Sequence, residues 1–169
     1  MPTKALLIKS EGTVTPLDLP DEQAHQTINE LVGGWFDCVR NYDNDEPTSQ
    51  IVGYIHDEGL LIGLPINYVA SALFARPLVG DCVIVGALSE QGDYDGENHD
   101  LPEAFLTSDF ATLAQEVHND PQVREVVERE VANIDLNPKV VPMNDEQFEA
   151  WLLGKLSEAD IYEQNGEDK

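Results

Sequence analysis

The sequence predicts an α+β fold of α/β-like character: a small mixed sheet with two packed short helices, followed by a helical C-terminal extension. Three observations carry this. Apolar runs of strand length recur at 4–9, 35–39, 51–55 and 82–88. Helix-period apolar positions fall between them, within 21–32 and 68–75. Beyond residue 103 the character changes to helices. The expected organisation is therefore a small domain over 1–102 and an acidic helical extension over 103–169 packing on it, with a tail frayed from about 162.

Each element has a local reason. "KALLIK" (4–9) reads as a buried strand, and "TVTPLDL" (13–19) alternates as its hairpin partner, with Pro16 placing it at an edge. Pro20-Asp21 opens a helix whose apolar face is Ala24, Ile28, Leu31 and Val32; Gly33-Gly34 closes it, the first glycine taking the left-handed conformation. "WFDCV" (35–39) returns to the core as a strand, and 41–50 is a polar, acidic loop. "IVGYI" and "LLIGL" flank "HDEG" as a hairpin, with Gly59 placed for positive φ. Asn67 caps a helix over Tyr68–Ala75, which Arg76-Pro77 ends, and "CVIVGAL" (82–88) is a buried strand. Two short helices are expected to cover one side of this sheet.

Residues 89–102, rich in Gly, Asp and Asn, read as a loop or linker. Ser108 is placed to cap a helix carrying Phe110, Leu113, Ala114 and Val117. Asp120-Pro121 starts another, with Val123, Val126, Val127, Val131 and Ile134 on one face. "PKVVPM" (138–143) is extended, and Asn144 with Gln147 forms a capping box before a helix over 144–157 with Trp151, Leu152 and Leu156 inward.

Charge excludes several function classes. The chain carries 33 acidic against 9 basic residues, a net charge of −24. Arg76 is the only basic residue between Arg40 and Arg124, so the basic stripe that a nucleic-acid or anionic-lipid binder needs is missing. No apolar run approaches the ~18–20 residues that span a bilayer, and "MPTKALLIKSEG" has no leader pattern. The expected setting is the cytoplasm, without direct nucleic-acid or membrane contact. Cationic proteins are the partners such a surface accommodates.

Catalytic patterns are sparse. Neither a phosphate loop, a dinucleotide fingerprint, H-E-x-x-H nor C-x-x-C occurs. Cys38 and Cys82 sit in apolar runs and read as small core residues, although a disulfide between them is open on sequence grounds. His25, His56, His99 and His118 are scattered. "DYDGENHD" (93–100) opens like a calcium loop but has Asn98 where the turn needs glycine and Ala104 where a bidentate Glu belongs. No metal and no cofactor is expected. The reading as a metal-dependent enzyme through His56 and the 93–100 acids ranks third.

Two sets of residues remain as site candidates. Gly33, Gly34, Trp35 and Asn67 could line a small-ligand pocket, the alternative function; the simpler role of Asn67 is the helix cap. Glu125, Glu128 and Glu130 on one helix, with Asp145, Glu146 and Glu149 on the next, could form an acidic interaction face. Rows of carboxylates on a rigid face imitate the charge of nucleic acid, which B-DNA presents every ~1.7 Å of axis. Plain solvation and salt adaptation explain the same acidity.

"ELVGGWFDCV" (30–39), "HDEGLLIGLPINYVA" (56–70) and "LVGDCVIVG" (78–86) together resemble a domain-of-unknown-function family of small proteins carried by actinobacteria, plasmids and bacteriophages. The resemblance covers roughly residues 4–102 and implies a mobile-element setting, with Asn67 prominent and no activity attached. The resulting expectation is a non-enzymatic phage- or plasmid-type accessory protein that binds a cationic host or element protein through an acidic surface.

Overall fold

The computed structural model describes residues 2–40, 50–89 and 91–134. The chain divides into two compact units, Met1–Ile134 and Asp135–Lys169. The expected extended piece at 138–143, the helix over 144–157 with Asp145, Glu146 and Glu149, the tail and nearly all of the 41–50 loop lie outside the described residues.

The first unit is α+β, as expected. Its strands are β1 (Thr3–Ile8), β2 (Val14–Leu19), β3 (Phe36–Arg40), β4 (Ile51–His56), β5 (Cys82–Leu88) and β6 (Tyr94–His99). Its helices are α1 (Ala24–Val32), α2 (Tyr68–Phe74), α3 (Ser108–Asn119) and α4 (Pro121–Ala132). The sheet runs β2-β1-β5-β4-β3, with β6 also on β5. Every described pairing is antiparallel, so the sheet is not mixed. β4 takes one edge of β5 along Val83–Gly86, and the other edge is shared, β1 meeting Cys82–Ile84 and β6 meeting Gly86 and Leu88.

Helices cover both faces, not one. Leu6, Ile8, Val39, Ile51, Cys82 and Ile84 pack with Val69, Ala70 and Phe74 of α2 and Phe110 and Ala114 of α3. Ala5, Leu7, Val52, Val83, Val85 and Ala87 pack with Ile28 and Val32 of α1 and with Leu19. Successive strand residues point to opposite faces, so the uninterrupted apolar runs of β1 and β5 require two covered faces. At roughly 25 cal/mol per Å² of apolar area, each fully buried Leu or Ile stabilises by about 1.5–3 kcal/mol before entropy is charged against it.

Four local expectations need correction. "LLIGL" is a turn, not a strand: Ile62 N–H bonds Glu58 O at 3.0 Å and Leu64 N–H bonds Gly59 O at 2.9 Å. The positive φ there belongs to Gly63 (73°), not Gly59. The stretch 89–102 is not all loop, because Tyr94–His99 forms β6. Thr107, one residue before Ser108, is the cap of α3. Asp120 caps α4 with Pro121 at its start, as expected. α4 rests on α2 and α3, where Arg124 stacks 4.3 Å over the Tyr68 ring and the Tyr68 hydroxyl donates to Glu128 at 2.7 Å. None of the described helices is long and apolar enough to cross a membrane.

Candidate interaction surface

The strand registers decide what meets what. Phe36 pairs with His56, Tyr54 with Val83, and Cys82 with Ile8. The start of β3, the end of β4, the start of β5 and the end of β1 therefore share one end of the sheet. All three sequence motifs fall there.

Two of them interlock. Asn67 is fully buried and caps α2 by accepting from Ala70 N–H at 3.0 Å. Its amide donates to Ile8 O and to Gly80 O, each at 2.9 Å. The Asn67 backbone N–H donates to Leu78 O, and Gly80 N–H donates to Pro65 O at 2.7 Å. Asp81 then accepts from Ser10 N–H at 3.0 Å. Ser71 closes the knot by accepting from Leu78 N–H at 2.8 Å while its hydroxyl lies within 2.7 Å of Asn67 O. The glycine-leucine-proline-x-asparagine stretch and the glycine-aspartate turn thus form one hydrogen-bonded joint, in which each buried polar group named here finds a partner.

The third motif is the exit from α1. Gly33 takes φ 87° at the helix end and returns its N–H to Asn29 O. The Asn29 side chain accepts from Phe36 N–H at 3.0 Å. A Cβ on Gly34 would lie 2.5 Å from Nε2 of His56, so the glycine lets the two motifs touch. Trp35 O accepts from Asp57 N–H at 2.9 Å, which extends the β3–β4 pairing by one residue. The Trp35 side chain is 75% exposed. Leu61 and Ile62, in the turn that follows Asp57, are 67% and 56% exposed. Asp57 and Glu58 stand between them in sequence and are exposed. Sequence reasoning missed Leu61 and Ile62, because a strand assignment hides one of any two neighbours in the core.

The sequence-proposed site residues separate. Gly33, Gly34 and Trp35 lie at the exit from α1 beside His56 and Asp57, while Asn67 is inside the joint with its amide facing backbone. Glu125, Glu128 and Glu130 are exposed on α4, but five residues turn a helix so that Glu130 points about 140° away from Glu125. Glu128 is occupied by Tyr68. A shallow groove of about 420 Å³ between α2 and α4 is lined by Ala72, Ala75, Val123 and Val126, with Arg76 and Glu130 also on it.

Other reactive groups lie elsewhere. Asp95, Glu97 and His99 alternate along β6 with donor atoms within 4.8 Å of one another, a set that could offer three ligands to a divalent cation. The Glu97 N–H and the His99 ring hold the Asp95 carboxyl below its usual range. Both cysteines are free; Cys38 is exposed, not a core residue, on the strand at the described edge of the sheet, and Cys82 is buried. Burial pushes the Cys82 thiol up to about 12, and burial followed by the Asp37 charge raises Cys38, so neither is an activated nucleophile.

Neither a curated protein nor a solved structure matches the chain. Residues 3–109 match the family model described as a domain of unknown function, DUF3846, which covers the whole sheet, α1, α2 and the start of α3. The match spans the interlocked motifs at the sheet end, and the chain belongs to the DUF3846 family.

Proposed function

We propose that this chain is a non-enzymatic accessory protein, of phage or plasmid type, that binds a cationic host or element protein through its acidic surface. The observation that carries the reading is the net charge of −24 combined with the way Arg76 and Arg124 are used. Arg76 donates to Arg40 O at 3.0 Å, and Arg124 donates to His118 O and faces the His118 and Tyr68 rings. These guanidinium groups serve backbone carbonyls and aromatic rings of the chain itself. The acidic field is left for something outside it, and a basic partner is steered and held by such a field. Imitation of nucleic-acid charge is the sharper form of the same reading.

The test is salt. The immobilised chain should retain basic proteins from a host lysate at about 50 mM salt and release them by about 200 mM, where the screening length has halved. Retention of a metabolite-sized ligand, unaffected by salt and accompanied by a rise in Tm, would replace this reading with that of a small-ligand-binding domain.

A further inference from the structure

We infer that Trp35, Leu61 and Ile62 form the docking surface for a basic segment with an apolar face on the partner protein. The inference rests on the reading of the chain as a binder of cationic proteins, and it specifies where and how the partner is held.

Proximity follows from the backbone. The 2.9 Å bond from Asp57 N–H to Trp35 O and the 3.0 Å bond from Ile62 N–H to Glu58 O are joined by two consecutive residues. Two residues reach at most about 7 Å, so the Trp35 carbonyl and the Ile62 amide lie within about 13 Å. An indole and two branched aliphatic side chains are long enough to bridge that span. Large apolar side chains standing together in water at a fixed site mark an interaction surface more often than isolated ones do.

The patch is also held in place. Gly34 lies against His56, the 57–64 turn is closed by its own backbone bonds, and His56 Nδ1 accepts from Glu58 N–H at 3.0 Å. A surface that is already ordered loses little freedom when it binds. Tryptophan is among the residue types enriched at such contacts.

Charge selects the occupant. Asp57 and Glu58 border the patch, Glu11 and Asp81 stand in the other turns at this sheet end, and Lys9 is the cation in those turns. A second copy would bring its own Asp57 and Glu58 and a further −24 against this surface, so self-association is opposed. A partner segment with lysine or arginine around an apolar centre satisfies both features: the aliphatic groups meet the indole, Leu61 and Ile62, and the cations meet the carboxylates.

The experiment uses the full chain carrying Trp151→Phe, which leaves Trp35 as the sole tryptophan. The probes are a synthetic amphipathic lysine–leucine peptide and a poly-lysine of equal charge. The lysine–leucine peptide should shift Trp35 emission to the blue, and poly-lysine should bind without that shift. In calorimetry with Trp151 restored, Trp35→Ala and Leu61→Ser should each weaken the lysine–leucine peptide at least tenfold and leave poly-lysine affinity within twofold, with Tm unchanged because both side chains are exposed. Equal affinity of natural and substituted chains for the lysine–leucine peptide would overturn the docking surface while the acidic-surface reading stands. Failure of both polycations to bind the natural chain at low salt would overturn both.

Discussion

The side-chain amide of Asn67 donates to the carbonyl of Gly80 at 2.9 Å, and this bond joins two of the three motifs. The assignment of its oxygen and nitrogen is forced by the partners. Ala70 N–H can only donate, so it faces Oδ1; Ile8 O and Gly80 O can only accept, so they face Nδ2. One side chain thereby ties the end of β1, the turn before β5 and the start of α2. Its prominence in the sequence has a structural cause, and the exposed residues around the joint are what it presents to solvent.

Asn67→Ala should therefore cost far more than an ordinary cap. Losing the cap costs about 1 kcal/mol, and taking the Asn67 donor away from two buried carbonyls costs roughly 1–3 kcal/mol each. A loss on the order of 3–7 kcal/mol is expected in urea unfolding. Asn67→Asp keeps the cap acceptor but sets a carboxylate against two carbonyl oxygens, and it should be at least as damaging. A cost for Asn67→Ala confined to about 1 kcal/mol would mean that the cap alone matters.

Gly86 is paired on both sides, to Ile51 and to His99. A Cβ at this position would overlap the Asp100 carbonyl. Backbone cannot swing aside as a side chain can, so Gly86→Ala should destabilise by about 1–3 kcal/mol or more and increase hydrogen exchange along β6 first. Gly34→Ala meets the far end of the His56 ring, which can turn away, so its cost should be smaller.

His118 supplies the pH dependence. Burial first, and then the Arg124 guanidinium 3.0 Å from its Nε2, hold the imidazole below its usual value of 6.5, with Glu11 acting in the opposite sense. A histidine depressed in the folded state binds protons more weakly there than in the unfolded chain. Its contribution to stability is intact above about 6.5 and is lost as pH falls through the folded value below that. The Tm difference between the natural chain and His118→Gln should shift against the natural chain between pH 7.5 and pH 5.5. A difference that is independent of pH would contradict the arrangement.

The cysteines should report the edge and the centre of the sheet. In the native chain a thiol reagent at pH 8 should modify Cys38 alone, more slowly than a free cysteine, because partial desolvation and then Asp37 raise its thiol. Cys82, at about 12 and buried, should react only after denaturation. Rapid reaction of both in native buffer would mean that β5 is not central.

Much of this architecture was legible because periodicity and punctuation agreed. Leu6 to Ile8 and Cys82 to Ala87 read as buried strands, Gly33 as a helix end, and Asn67 and Asp120 as caps. Three features escaped for physical reasons. β6 is nearly devoid of apolar residues, since its main-chain bonds to β5 and the 2.5 Å bond from Tyr54 to Asn98 hold it in place of a core face. "LLIGL" has strand composition, yet Gly63 and the bonds to Glu58 and Gly59 fold it locally. Cys38 looked central because an edge strand can carry the same residues as an inner one. The joint between Pro65, Asn67 and Gly80 could not be read at all, because it depends on which strands lie side by side.

The central claim is that the motif end of the sheet, with Trp35, Leu61 and Ile62 outward and Asn67 locked inside, is where a cationic partner binds. The most direct measurement is an amide chemical-shift titration of the ¹⁵N-labelled chain with the lysine–leucine peptide. Shifts are expected at residues 33–36 and 57–64 and at the Trp35 indole N–H. Shifts confined to the α2–α4 groove or to β6, with the Trp35 indole unmoved, would contradict it.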